Sequence, residues 1–348
     1  MVDMHIKRKL MLIICAASGF SLLCVWSYFI KSVPFTWEDK PNDIPSNDHF
    51  EAAPLKLHDP NESFDENLIV IYNRVPKTGS TSFINLAYDL CKKNHFYVLH
   101  INITANMHVL SLENQVNFVR NITAWNTVKP ALYHGHMAYL DFSKFQMRQK
   151  PIYINLIRKP LDRLVSYYYF LRTGDNYRPN LVRKRSGDTM TLDECVRRKQ
   201  PDCDVKYMWL QVPFFCGHSA ECWKPGSHWA LEQAKANLVN NYFLVGLTEH
   251  MEEFIYMLEM SLPRIFVGIV DQYRNSGKSH LRQTTSKIRP DPETIAEIKR
   301  SDVWKIENEF YEFARQQFNY TFKLQNKIKL QGKSFKQTFF YEKIRPKF

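Results

Sequence analysis

From residue 68 onward the chain alternates short apolar runs with stretches of helical periodicity. Residues 68–72, 97–103, 151–157 and 242–247 are mainly apolar, with His100, Asn102 and Asn155 as polar exceptions, and predict strands of a parallel sheet covered on both faces. Residues 81–93, 112–121, 161–171, 227–240, 249–262 and 301–318 repeat apolar positions every three or four residues and predict helices. This alternation predicts an α/β fold: a central, mainly parallel sheet flanked by helices, in a single domain over residues 68–348. Residues 173–200 read as a basic loop. The tail from residue 323 is basic and carries an aromatic run, Phe339-Phe340-Tyr341.

The N-terminal part has a different pattern. Residues 10–30 are 21 residues without a charge, long enough to span a bilayer core as a helix. Lys7, Arg8 and Lys9 precede them, so residues 1–9 are expected in the cytosol and the rest in the lumen. A cleaved signal peptide is the alternative, but Trp26-Ser-Tyr-Phe-Ile30 is a poor cleavage site. Residues 31–67, with five prolines and nine acidic side chains, read as a lumenal stem. Sequons at Asn61, Asn102, Asn121 and Asn319 fit a secretory glycoprotein.

Charge and cysteines sharpen the picture. The whole chain of 348 residues carries +12, but its first 67 residues hold 6 basic and 10 acidic groups. That leaves 41 basic and 25 acidic groups beyond them, a net +16. A lumenal domain so basic expects an anionic partner other than nucleic acid. Of seven cysteines, Cys15 and Cys24 lie in the apolar segment, and Cys91 reads as a buried free thiol on a helix face. In an oxidising lumen Cys195–Cys203 and Cys216–Cys222 are the expected local disulfides, although four cysteines allow three connectivities. The spacing Cys216-Gly-His-Ser-Ala-Glu-Cys222 is not that of a zinc site, and no metal is expected.

Candidate chemistry begins where the first strand ends. Pro76-Lys-Thr-Gly-Ser-Thr-Ser82 joins an apolar run to an amphipathic one. Strand, loop and helix in that order aim backbone N–H groups and a helix N-terminus at an anion. Lys77 adds a charge, Thr78, Ser80, Thr81 and Ser82 add hydroxyls, and Gly79 permits close backbone approach. The loop is not a Walker A motif, because Lys77 precedes the only Gly. A capped polar turn is the plain alternative.

A second strand end leads into Arg158-Lys-Pro-Leu-Asp-Arg-Leu-Val-Ser166. Arg158 and Ser166 suit a phosphate monoester, with an Arg158–Asp162 surface pair as the alternative. Tyr133-His134-Gly-His136 offers two histidines facing one way on a strand, as a proton acceptor, a structural pair or metal ligands. Arg74, Arg178, Arg183, Lys184 and Arg185 form either a polyanion contact or a solvated basic loop.

Together these motifs carry a resemblance. Pro76–Ser82 resembles the 5′-phosphosulfate loop of sulfotransferases, and Arg158 with Ser166 resembles their 3′-phosphate motif. Tyr72-Asn-Arg-Val-Pro-Lys77, Tyr133-His-Gly-His136, Leu164-Val-Ser-Tyr-Tyr-Tyr-Phe170, Pro213-Phe-Phe-Cys-Gly-His218, Glu307-Asn-Glu-Phe-Tyr-Glu-Phe313 and Phe340-Tyr-Glu-Lys343 resemble the heparan sulfate 2-O-sulfotransferases. Gly79 stands where vertebrate members carry Ala, a change expected to leave phosphate binding intact.

The resemblance implies a P-loop-like sulfotransferase fold and a polysaccharide O-sulfotransferase that uses 3′-phosphoadenosine 5′-phosphosulfate (PAPS) without a metal. The acceptor is uronic acid 2-OH in heparan sulfate, iduronic more than glucuronic. It makes His136 the base, supported by His134, and Lys77 the cation on the leaving phosphate. Lys77, Thr78, Gly79, Ser80, Thr81, Ser82, Arg158, Ser166, Tyr273, Ser279, Thr284 and Lys287 would bind the donor, with Arg282 beside them. Arg74, Arg178 and Arg183 would bind the acceptor. It further implies a Golgi type II membrane protein and a homotrimer, with 339–343 near the next subunit. A dermatan or chondroitin uronyl 2-O-sulfotransferase and a non-catalytic heparin-binding protein on the same fold are the competing readings. A nucleotide kinase is disfavoured by the loop.

Overall fold

The computed structural model describes residues 64–330, except 148–149, 278–282 and 285. The expected anchor and stem, the Asn61 sequon, Ser279, Arg282 and the 339–343 run therefore lie outside the described residues. Among the described residues no helix is long and apolar enough to cross a membrane.

Five strands form one sheet: β1 (Ile69–Asn73), β2 (Tyr97–Ile101), β3 (Ala131–Gly135), β4 (Ile152–Ile157) and β5 (Tyr242–Leu247). Their order is β2-β3-β1-β4-β5 and every pairing is parallel. β1 is buried along its whole length, as its unbroken apolar run predicts. β3 is not marked by a comparable run, because Tyr133, His134 and Gly135 interrupt the apolar pattern. It pairs on both sides nonetheless, and all five of its residues are buried.

Eight helices of six or more residues matter to the site. They are α1 (Ser80–Leu90), α2 (Leu112–Ala124), α3 (Pro160–Thr173), α4 (Gln211–Cys216), α5 (His228–Asn241), α6 (Met251–Ser261), α7 (Ile269–Asn275) and α8 (Asp302–Leu330). Pro160 opens α3, where a missing N–H costs nothing. α8 continues well past the expected end at 318. Phe318 and Phe322 sit one turn apart there and stack at 6.3 Å. The basic stretch 173–200 is not all loop: Leu192–Arg197 is a helical turn and a half, capped by the Thr191 hydroxyl.

The core lies on both faces of the sheet. Phe83 of α1 packs edge-on against Tyr72 at 5.1 Å and meets Phe254 of α6 at 5.4 Å. A smaller core under α3 joins Leu164, Tyr168 and Tyr169 to Leu192, Met208 and Ile298. The Cys195–Cys203 disulfide staples it, and Cys216–Cys222 closes the end of α4. Cys91 is free and only partly buried, at the C-terminal cap of α1 rather than inside the core.

Candidate active site

Three adjacent strands, β3, β1 and β4, deliver their C-terminal ends side by side. The register places Asn73 beside Gly135 and Tyr72 beside Ile154. Ligands in open parallel sheets bind at this edge, where the strand order reverses. A cleft of about 530 Å³ opens here, lined by Arg74, Lys77, Gly79 to Ser82, His136, Arg158, Ser166, Thr284 and Lys287 among others.

The loop after β1 is a tight cradle. Lys77 and Gly79 both adopt left-handed backbone, with φ of 70° and 77°. For Lys77 that conformation is a strain a non-glycine residue rarely accepts. At Gly79 a Cβ would stand 3.0 Å from the flexible end of Met251 and 3.3 Å from Cγ2 of Thr248. An Ala there would need both neighbours to shift slightly and would carry backbone strain at this left-handed φ. No side chain caps α1, and the Ser82 N–H donates to the carbonyl of the N-cap residue Gly79 at 3.1 Å. The Thr78 hydroxyl is turned away: it is buried and donates to the Val75 carbonyl at 2.9 Å. Thr78 therefore shapes the loop by its side chain and offers only its backbone. Thr248 bridges the loop to β4, with its hydroxyl 2.9 Å from the carbonyls of both Thr78 and Ile157.

Arg158 leaves β4 beside this cradle and donates to the Lys77 carbonyl at 3.3 Å. The Ser166 hydroxyl, two turns into α3, lies 3.3 Å from that of Thr284. Thr284 also accepts from Lys77 Nζ at 2.9 Å, and the same ammonium sits 4.1 Å above the Phe170 ring. The two strand-end motifs and Gln283, Thr284 and Lys287 thus meet in one cleft, and Tyr273 lines it from α7.

Of the two histidines, only His136 lines the cleft. His134 is 2% exposed, and its ring stacks on His100 at 4.8 Å. His136 follows β3 and lines the cleft. Arg74 reaches both: Nη1 lies 3.1 Å from His134 Nδ1 and Nη2 lies 3.4 Å from His136 Nε2. A guanidinium can only donate, so both of those ring nitrogens are acceptors. His134 must then carry its proton on Nε2, donated to the Tyr88 hydroxyl at 2.8 Å. His136 carries its proton on Nδ1 and donates it to the Arg74 carbonyl at 2.8 Å. The one acceptor position of the His136 ring is therefore Nε2, which Arg74 holds. Burial, reinforced by the Arg74 charge, pushes the pKa of both histidines down to about 3, so both are neutral at physiological pH.

The basic segment divides. Arg183 stacks over Phe170 at 4.3 Å and pairs with the buried Asp175 at 3.0 Å. Arg178 is exposed and does not line the cleft, although its backbone N–H is held by Asp175 at 2.9 Å. Arg185 pairs with Asp202. Sequence reasoning passed over Tyr88, His100, Tyr167, Phe170 and Asp175. Tyr167 had a legible signal, because in the run Tyr167-Tyr168-Tyr169 the helical rotation sends one ring to the cleft and two to the core.

The profile of the sulfotransferase family matches residues 63–314, most of the chain. The chain belongs to the sulfotransferase family. It is 59% identical over 340 residues to the "Heparin sulfate O-sulfotransferase" of Drosophila melanogaster, covering 97% of this chain and 95% of that protein. It is 59% identical over 285 residues to "Heparan sulfate 2-O-sulfotransferase 1" of Mus musculus, covering 81% and 80% of the two chains. The Homo sapiens protein of that name is 58% identical over the same length. As a sulfotransferase, the protein needs a cradle for an anionic donor and a base for an acceptor hydroxyl, and one cleft holds candidates for both.

Proposed function

We propose that this enzyme transfers a sulfuryl group from PAPS to the 2-OH of uronic acid, iduronic more than glucuronic, in heparan sulfate. The observation that carries the reading is the shared cleft, lined both by His136, whose Nδ1 proton is tied to the Arg74 carbonyl, and by the Lys77 loop. The names of the relatives support the acceptor. The donor supplies an activated sulfuryl group on a phosphate oxygen. His136 Nε2 takes the hydroxyl proton as that oxygen bonds to sulfur. The S–O bond to the phosphate breaks, and Lys77 stabilises the charge left behind. Arg74 must release His136 Nε2 for this, and its guanidinium is then placed to meet an acceptor carboxylate or sulfate.

Residues Gly79 to Ser82 and the backbone of Thr78 are read as holding the 5′-phosphate. Arg158, Ser166 and Thr284 are read as holding the 3′-phosphate, with Tyr273, Ser279 and Lys287 over the nucleotide. Arg74 and Arg183 line the acceptor route, and Arg178 would reach a long chain from its exposed position. We further read the protein as a Golgi type II membrane glycoprotein anchored by residues 10–30 and assembled as a homotrimer. The sequons support the glycoprotein reading: Asn102 and Asn121 are exposed, and Asn319 is partly so on α8.

Incubation with labelled donor and desulfated heparan, followed by disaccharide analysis, tests the reading. Label at uronic acid C2 is expected; label on glucosamine, or none, overturns it. His136→Ala is expected to cut turnover by about 10²–10⁴-fold while leaving nucleotide affinity near that of the parent. Loss of nucleotide binding instead would remove His136 from the role of base.

A further inference from the structure

Two motifs singled out in the sequence, around Pro213 and from Glu307 to Phe313, put no residue into the lining of the cleft. They converge on the turn that carries Arg158. Arg158 stands one residue beyond the last ladder pair of β4, Ile157 with Leu247. The Gln211 side chain takes the place of a neighbouring strand there. Its Oε1 accepts from the Arg158 N–H at 2.8 Å, and its Nε2 donates to the Arg158 carbonyl at 3.0 Å. Gln211 is in turn held by Glu307 of α8, whose Oε2 accepts from Nε2 at 3.4 Å. Oε1 of Glu307 accepts from the N–H groups of Leu210 and Val212 at 2.7 and 3.1 Å, at the start of α4.

Glu307 and Gln211 are both 0% exposed. A carboxylate there is tolerable only because its oxygens are bonded and the buried Arg163 lies near enough to offset its charge. One turn further along α8, the Tyr311 hydroxyl donates to Glu249 Oε2 at 3.2 Å. Glu249 Oε1 accepts from the Lys159 N–H at 3.0 Å. Positions i and i+4 on one helix face thus reach the backbone of two consecutive residues at the strand end.

We propose that Glu307 and Tyr311, acting through Gln211 and Glu249, are positioning residues for the 3′-phosphate end of the donor site. The C-terminal helix fixes the backbone of Arg158 and Lys159, and with it the direction in which the Arg158 guanidinium enters the cleft. This rests on the reading of Arg158 as a 3′-phosphate contact.

Calorimetric titration of the full chain with adenosine 3′,5′-bisphosphate and with adenosine 5′-monophosphate tests it. The parent chain is expected to prefer the bisphosphate. Gln211→Met keeps side-chain volume but unpairs both backbone groups of Arg158. It is expected to weaken the bisphosphate about tenfold and to leave the monophosphate unchanged. In an Arg158→Ala background the same change should cost nothing further. Tyr311→Phe, which leaves the ring packed, should weaken the bisphosphate about two- to threefold, since the Glu249 arm is exposed. A preference that survives Gln211→Met, or equal weakening of both nucleotides, overturns the proposal. If Gln211→Met does not fold, an unchanged preference in folded Tyr311→Phe overturns it. A parent chain with no preference overturns the donor-site reading itself, and the proposal with it.

Discussion

Arg74 has no lone pair to offer, and that fixes the protonation of two histidines. Its guanidinium must donate to His134 Nδ1 and to His136 Nε2, which leaves one defined tautomer for each ring. Its charge also helps burial hold the His136 pKa low. Removing a positive charge favours the imidazolium, so Arg74→Met is expected to move the acid limb of the pH profile of kcat/KM upward. A limb that stays in place would show that the guanidinium does not tune the base. The histidine pair was readable in the sequence from its spacing alone. The bridge from Arg74 was not, because 60 residues separate it from His134 and only strand pairing brings them together.

Among the elements, β3 is the least evident in sequence and the most demanding in structure. Gly135 ends it beside Ile101 of β2, and a Cβ there would stand 2.5 Å from the Ile101 carbonyl oxygen. A backbone carbonyl in a parallel ladder cannot move aside without breaking the pairing. Gly135→Ala is therefore expected to destabilise the protein by about 1–3 kcal/mol in urea unfolding and to displace both histidines. An unchanged midpoint would mean that the β2–β3 edge is more yielding than this contact allows. The six expected helices start within two residues of their observed starts because amphipathic periodicity survives in any context, whereas α4 and α7 are too short to show a period and were not expected. The end of α8 moved furthest, where Phe318 lies in the core and Phe322 packs against it one turn on.

At the scale of the molecule, burial gives the fold a dependence on pH. His100, His108, His134, His136 and His218 are all pushed below the ordinary histidine value, chiefly by burial. In the unfolded chain they take up protons near pH 6.5, while the folded forms stay neutral to lower pH. The unfolded state therefore binds more protons, and stability falls as pH drops from about 6.5 toward about 3. The melting temperature is expected to decline already between pH 7 and 5.5, above the range in which carboxylates titrate. A flat profile there would contradict it. The two disulfides close short loops, with separations of 8 and 6 residues. Reduction of Cys195–Cys203 alone should cost about 2–3 kcal/mol and loosen the small core under α3.

The sequence by itself determined the alternation of strand and helix, the loop at Lys77, the Arg158 and Ser166 spacing and the close spacing of four cysteines, whose pairing the structure chose. Those features are written in neighbouring residues: apolar period, turn chemistry and short chain separations. Only the tertiary structure decided which polar groups meet. It turned the Thr78 hydroxyl away from the cleft, seated Lys77 over Phe170 and tied Arg74 to both histidines. The physical reason is the parallel sheet. Its register aligns strand ends that lie far apart in the chain, and no local pattern records which ends become neighbours.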